Sequence, residues 1–145
     1  MGRILAIDYG QKRAGIAVTD ELQIIATGLT TVHVKDIFTF LEDYFKREKV
    51  DRIVVGEPKQ MNNSPSDAAR FIEPFVKKLA KQFPQIPVDR CDERFTSKMA
   101  HDTMLASGLG KKARQNKELV DTISATIILQ SFMQSRSITL KNLIQ

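Results

Sequence analysis

Cysteine is almost absent: Cys91 stands alone among 145 residues. A single thiol closes no intramolecular disulfide and cannot build a zinc or iron–sulfur centre, so a reducing, cytoplasmic setting is expected. Histidine is nearly as scarce, with two residues. His33 and His101 lack the spacing of a zinc site and read as surface or helix residues. Long hydrophobic runs are missing too: no apolar stretch approaches the roughly 20 residues of a membrane span, which predicts a soluble chain with no membrane partner. The opening "MGRILAIDYG" has a short apolar run, but neither the apolar core nor the small-residue cleavage site of a signal peptide, so it is read as structure. Repeats and low-complexity segments are absent as well.

What is present is ordinary hydrophobic content and an excess of positive charge. At 145 residues the chain suits one domain, and folding at this size removes roughly 70% of the unfolded chain's surface, enough for a core without staples. Lysine and arginine number 22 against 17 acids, for a formal charge of +5 and a pI near 9.4. That balance favours a polyanionic partner, nucleic acid first.

Two apolar segments, Arg3–Asp8 and Arg13–Thr19, flank "YGQK", whose glycine suits a turn with positive φ, and together they predict a β-hairpin. A third strand is expected over Gln23–Val32. The period then changes: Ile37, Phe40, Leu41, Tyr44 and Phe45 fall on one stripe of a helix. "DRIVVG" (Asp51–Gly56) reads as a buried strand and "EPKQMNNSPSD" as a loop. A helix from Ser66 to Gln82 follows, with Ser66 as N-cap and Pro74 as an irregularity. Then come a strand over "IPVDRCDE", a helix over "TSKMAHDTMLASG" ended by Gly108, a basic loop "LGKKARQNK" and a long helix over "ELVDTISATIILQSFMQSR". The final "SITLKNLIQ" carries no clear signal. This order predicts an α/β fold, an antiparallel meander joined to parallel strands in one mixed sheet covered by helices.

Three acids stand at informative places. Asp8 ends a strand whose two faces are both apolar, where open α/β sheets mount their chemistry. On position alone it serves equally well as an Asx-type turn cap. Asp92 and Glu93 end another strand. Their side chains alternate, so at most one of them easily shares a site with Asp8. Asp121 lies beside the buried stripe of the last helix with Ser124 and Ala125 one turn away, small enough to let that helix approach a sheet. Its competing reading is a first-turn aspartate facing the helix dipole. Three converging carboxylates would repel one another and lose hydration, a conflict that a divalent cation resolves.

The stretches "AIDYGQKRAGIAVTD", "IVVGEPKQMNN", "VDRCDERFTS" and "LVDTISATIILQ" resemble, in order and spacing, the four motif blocks of the YqgF family, the pre-16S rRNA nucleases also called Holliday junction resolvases. Any one block is weak, since D-x-G after a strand also opens the phosphate-binding hairpin of sugar kinases and actin-like ATPases. All four together are specific, and they span the chain from Arg3 to about Gln130. The resemblance implies a single RNase H-like nuclease domain over 1–145, with a five-stranded mixed sheet flanked by helices. It also implies Asp8, Glu93 and Asp121 as catalytic metal ligands for Mg²⁺ or Mn²⁺. The block usually read "GLP" is "GEP" here, so Glu57 is either a fourth metal-site acid or a solvent-facing loop residue.

Basic residues cluster near these acids: Lys12 and Arg13, Lys59, Arg94 and Lys98, then Lys111, Lys112, Arg114 and Lys117. They are expected to hold phosphates rather than read bases, and no aromatics are interleaved with them to stack unpaired bases. The expected activity is metal-dependent hydrolysis of structured nucleic acid, in 5′-end maturation of pre-16S rRNA or in resolving branched DNA, with ribosomal particles as a further partner and a monomeric or weakly dimeric state. A non-catalytic RNA-binding assembly module is the rival from another class. An actin-like ATPase fragment is a second rival, disfavoured because those proteins close two such domains on the nucleotide.

Overall fold

The computed structural model describes residues 2–57, 69–92 and 116–144. Three strands open the chain: β1 (Arg3–Tyr9), β2 (Arg13–Thr19) and β3 (Ala26–His33). A 3-10 turn at Val34–Asp36 leads into helix α1 (Ile37–Arg47), followed by β4 (Val50–Glu57), α2 (Ala69–Gln82), β5 (Val88–Asp92) and α3 (Lys117–Ile144). The strands form one five-stranded sheet in the order β3-β2-β1-β4-β5. β1 runs antiparallel to β2 and parallel to β4, while β2–β3 is antiparallel and β4–β5 parallel. The meander with a parallel extension is therefore present as expected.

β1 lies at the centre because both its faces are apolar, and Leu5, Ala6 and Ile7 are fully buried. The two faces differ in bulk. Leu5, Ile7, Ile16, Ile53 and Val55 pack with Ile37, Leu41 and Tyr44 of α1 and Ile72, Phe75 and Leu79 of α2. On the other face Ile4, Ala6, Ala17 and Val54 meet Ala125, Ile128 and Leu129 of α3. Alanines on both sides of this second layer let α3 lie close to the sheet. Among the described residues no helix is long and apolar enough to cross a membrane.

Several sequence expectations shift. β3 begins at Ala26 rather than Gln23, because the Asp20 carboxylate accepts the backbone N–H groups of Ile24 and Ile25 at 2.7 and 2.8 Å and holds them in a turn. Those bonds favour the ionised carboxyl and hold Asp20 below its ordinary value. Gln23, not Gly10, adopts the left-handed conformation, with φ of 58°. Gly10 is needed for a different reason: a Cβ there would meet the Arg13 carbonyl oxygen at 2.9 Å. Pro74 is accommodated inside α2. The last helix extends through the segment that carried no signal, and it begins at Lys117. Ser66 and the helix expected before Gly108 lie outside the described residues.

One contact sets how closely α3 approaches. A Cβ on Gly15 of β2 would fall 2.0 Å from the Asp121 carbonyl oxygen, so helix backbone fills the space a side chain would take. Gly15→Ala is expected to cost about 3 kcal/mol, the upper part of the range for overpacking, since the obstacle is main chain. Gly28→Ala, whose Cβ would meet the Thr122 methyl at 2.6 Å, should cost less because a side chain can yield. Urea denaturation of both variants measures the difference, and equal midpoints would contradict it.

Candidate active site

The site is built where the carboxyl end of β1 meets the start of α3. Asn116 caps that helix, its Oδ1 accepting the backbone N–H groups of Glu118 and Leu119 at 3.0 and 3.2 Å. This places Asp121 in the second turn, beyond the first-turn dipole position. Thr31 of β3 ties the turn to the sheet: its hydroxyl donates to the Glu118 carbonyl at 2.8 Å and lies 2.7 Å from the Thr122 hydroxyl.

Asp8 is half-buried and directly opposite Gly15 in the β1–β2 ladder. Opposed residues of an antiparallel pair project to the same face with Cβ atoms roughly 5 Å apart. The Asp121 peptide occupies the missing Gly15 side-chain position. Asp8 therefore faces α3, on the same row as Ile4 and Ala6, and stands beside the turn that carries Asp121. Along the sheet the ladders place Ile7 beside Val55 and Gly56 beside Cys91. The level of Asp8 is thus occupied by Gly15, Gly56 and Cys91, all small residues.

Arg13, the first residue of β2, donates from Nε to Asp121 Oδ2 at 3.0 Å; the two side chains are 32% and 26% exposed. Its backbone is held by the bond from Gly10 N–H to the Arg13 carbonyl at 2.9 Å, and the turn is pinned to the chain after β3 by Val34 N–H donating to the Lys12 carbonyl at 2.9 Å. Gly10, Gln11, Lys12, Arg13 and Asp121 line a cleft of about 310 Å³. Behind the turn, Tyr9 stacks on Phe75 with ring centroids 4.0 Å apart, and burial raises its phenol above the usual value.

Of the expected acids, Asp8 and Asp121 reach the same end of the sheet: the Asp121 peptide lies against Gly15, the ladder partner of Asp8. Glu93 lies outside the described residues, as do Lys59, Arg94, Lys98, Lys111, Lys112 and Arg114. Lys117 is the first residue of α3, Glu57 ends β4, and Asp92 is its ladder partner in β5. Among the described residues no three His, Cys, Asp or Glu side chains cluster as a metal site. Two hard carboxylates beside a solvent-accessible cleft nevertheless suit Mg²⁺ or Mn²⁺, which take oxygen ligands and keep several waters. Reading the sequence alone missed Gly15, though glycine inside a strand signals a close backbone approach. It also missed the Arg13–Asp121 pair, which joins residues far apart in the chain.

A family profile described as "RuvX: Holliday junction resolvase" matches residues 2–135. A Flavobacterium psychrophilum protein named "Putative pre-16S rRNA nuclease" is 61% identical over 133 residues, covering 92% of this chain and 97% of that protein. A Bacteroides thetaiotaomicron protein of the same name is 59% identical over 136 residues, covering 94% and 99%. Among solved structures, Thermus thermophilus RuvC in complex with a Holliday junction substrate superposes with a TM-score of 0.60 at 18% identity, over 96% of this chain and 98% of that one. The fold is accordingly RNase H-like.

Because the Arg13–Asp121 pair is partly solvated, it should add little to stability. Asp121→Asn is expected to change the unfolding free energy by less than about 1 kcal/mol in urea titrations. A loss beyond about 2 kcal/mol would mark the pair as a structural tie, since exposed pairs rarely reach that value.

Proposed function

We infer that this chain, which belongs to the RuvX family of Holliday junction resolvases, is a nuclease that hydrolyses phosphodiester bonds of structured nucleic acid with a divalent metal. The observation that carries this reading is the packing of the α3 turn bearing Asp121 on Gly15, the ladder partner of Asp8, next to a cleft lined by Lys12, Arg13 and Asp121. Glu93 is the third ligand in this reading. Mg²⁺ or Mn²⁺ held by Asp8, Glu93 and Asp121 supplies Lewis acidity toward the phosphoryl group and activation of water.

The remaining work falls to the protein's own side chains. Lys12 and Arg13 draw the phosphodiester into the cleft and set its orientation, and Lys59, Arg94, Lys98, Arg114 and Lys117 extend the basic track. The names of the relatives favour precursor 16S rRNA as substrate; cleavage at its 5′ end, in the cytoplasm and on ribosomal particles, completes the proposal. The family description and the RuvC complex favour a second reading, a four-way DNA junction, for which a two-fold dimer would be expected.

Cleavage of a precursor 16S fragment and of a four-way junction, each in Mg²⁺, tests both readings. Asp8→Asn and Asp121→Asn should each lose at least about 100-fold in rate on the true substrate, more than the loss of a residue that merely supports a metal ligand. Unchanged activity in Asp8→Asn would remove its role as a ligand. Lys12→Gln should weaken binding across sequences and lower the salt slope, d log K/d log[salt], by about 1.

A further inference from the structure

We propose that Arg13 is the built-in counter-ion of this site: a positioning residue that occupies Asp121 when metal is absent, yields it to the divalent cation, and then turns to the substrate phosphate. The proposal rests on the metal-ligand reading of Asp121.

Its basis is the geometry of the pair. The contact is a single Nε–Oδ2 bond of 3.0 Å rather than a two-pronged clamp, and both side chains are partly exposed. A guanidinium stays charged at any physiological pH, so what changes at Asp121 is which cation it faces. The Arg13 backbone cannot follow the exchange. It is held by the ladder to His33 and by the Gly10–Arg13 bond. Only the side chain can swing, and the cleft it lines with Lys12 and Asp121 gives it somewhere to go.

The other ion pairs among the described residues do not share this placement. Arg3–Glu48, Arg47–Asp43, Arg52–Asp89 and Arg90–Glu73 all lie away from Asp8 and Asp121. A planar fork of donors released beside a phosphodiester suits it better than an ammonium would, because it can contact two oxygens at once. Substrate and metal thereby draw Arg13 the same way. A phosphate that takes the guanidinium leaves Asp121 to the cation, and a cation that takes Asp121 leaves the guanidinium to the phosphate.

The alternative is that Arg13 stays on Asp121 and orients it as a ligand, in which case losing it weakens metal binding. The two roles predict opposite signs. Mn²⁺ affinity is measured by calorimetry without nucleic acid for wild type, Arg13→Gln, Arg13→Lys, Lys12→Gln and Asp121→Asn, and for Arg13→Gln combined with Asp121→Asn. Arg13→Gln should bind Mn²⁺ about two- to fivefold more tightly than wild type, the range of a partly solvated pair. Lys12→Gln, which removes an equal charge from the same cleft, should gain less. Arg13→Lys should stay near wild type, and the gain should vanish when Asp121 is also replaced.

Binding of an uncleaved duplex in Ca²⁺, followed by fluorescence anisotropy, should weaken in Arg13→Gln while Mn²⁺ binding strengthens. Unchanged or weaker Mn²⁺ binding in Arg13→Gln overturns the proposal, as does a gain no larger than that of Lys12→Gln. If Asp121→Asn alone leaves Mn²⁺ binding unchanged, the metal-ligand reading itself fails, and the proposal with it.

Discussion

The closeness of α3 to the sheet governs everything else at this site. Gly15 has no side chain, and the Asp121 carbonyl stands where one would be. That contact fixes the height of the helix above β2 and, through the ladder pairing of Gly15 with Asp8, the position of one acid relative to the other. The alanine-rich layer formed by Ala6, Ala17 and Ala125 allows the same approach further along the helix. Larger residues there would lift α3 and carry the Asp121 turn away from Asp8.

The two faces of the sheet divide the labour. The face under α1 and α2 is filled with isoleucine, leucine, valine and aromatic side chains, and it supplies most of the buried bulk. The α3 face is thinner, and it gives up burial for proximity. A central strand such as β1 can then be fully buried at Leu5 to Ile7 and still end on a carboxylate. Asp8 sits where the core stops, with Gly15 opposite it on one side and the small Gly56 at its level on the other.

Electrostatics follow from that geometry. Carboxylates gathered at one edge need positive charge nearby, and Arg13 meets part of that need through Asp121. The arginine was expected to serve phosphate alone. Instead the structure gives it a carboxylate partner within the protein, so a single side chain stands between the acid and the polyanion. A +5 chain thus keeps part of its positive charge engaged with its own acids, and net charge by itself does not measure how much is offered to a partner.

The primary structure alone determined the central strand, the hairpin, the helix stripes and the mixed sheet, because alternation and helical period are local properties that each segment carries within itself. It also marked Asp8 and Asp121 as unusual, an acid closing an apolar strand and another beside small residues. It misjudged Gly10 and the start of β3, where a carbonyl 2.9 Å away and the Asp20 carboxylate decide the backbone. Only the tertiary structure decided that Gly15 is the seat of α3, that the turn carrying Asp121 packs there across from Asp8, and that Arg13 holds Asp121. Those are contacts across about a hundred residues of chain, Arg13 and Asp121 being 108 apart, and no local pattern encodes which distant group will fill a given space.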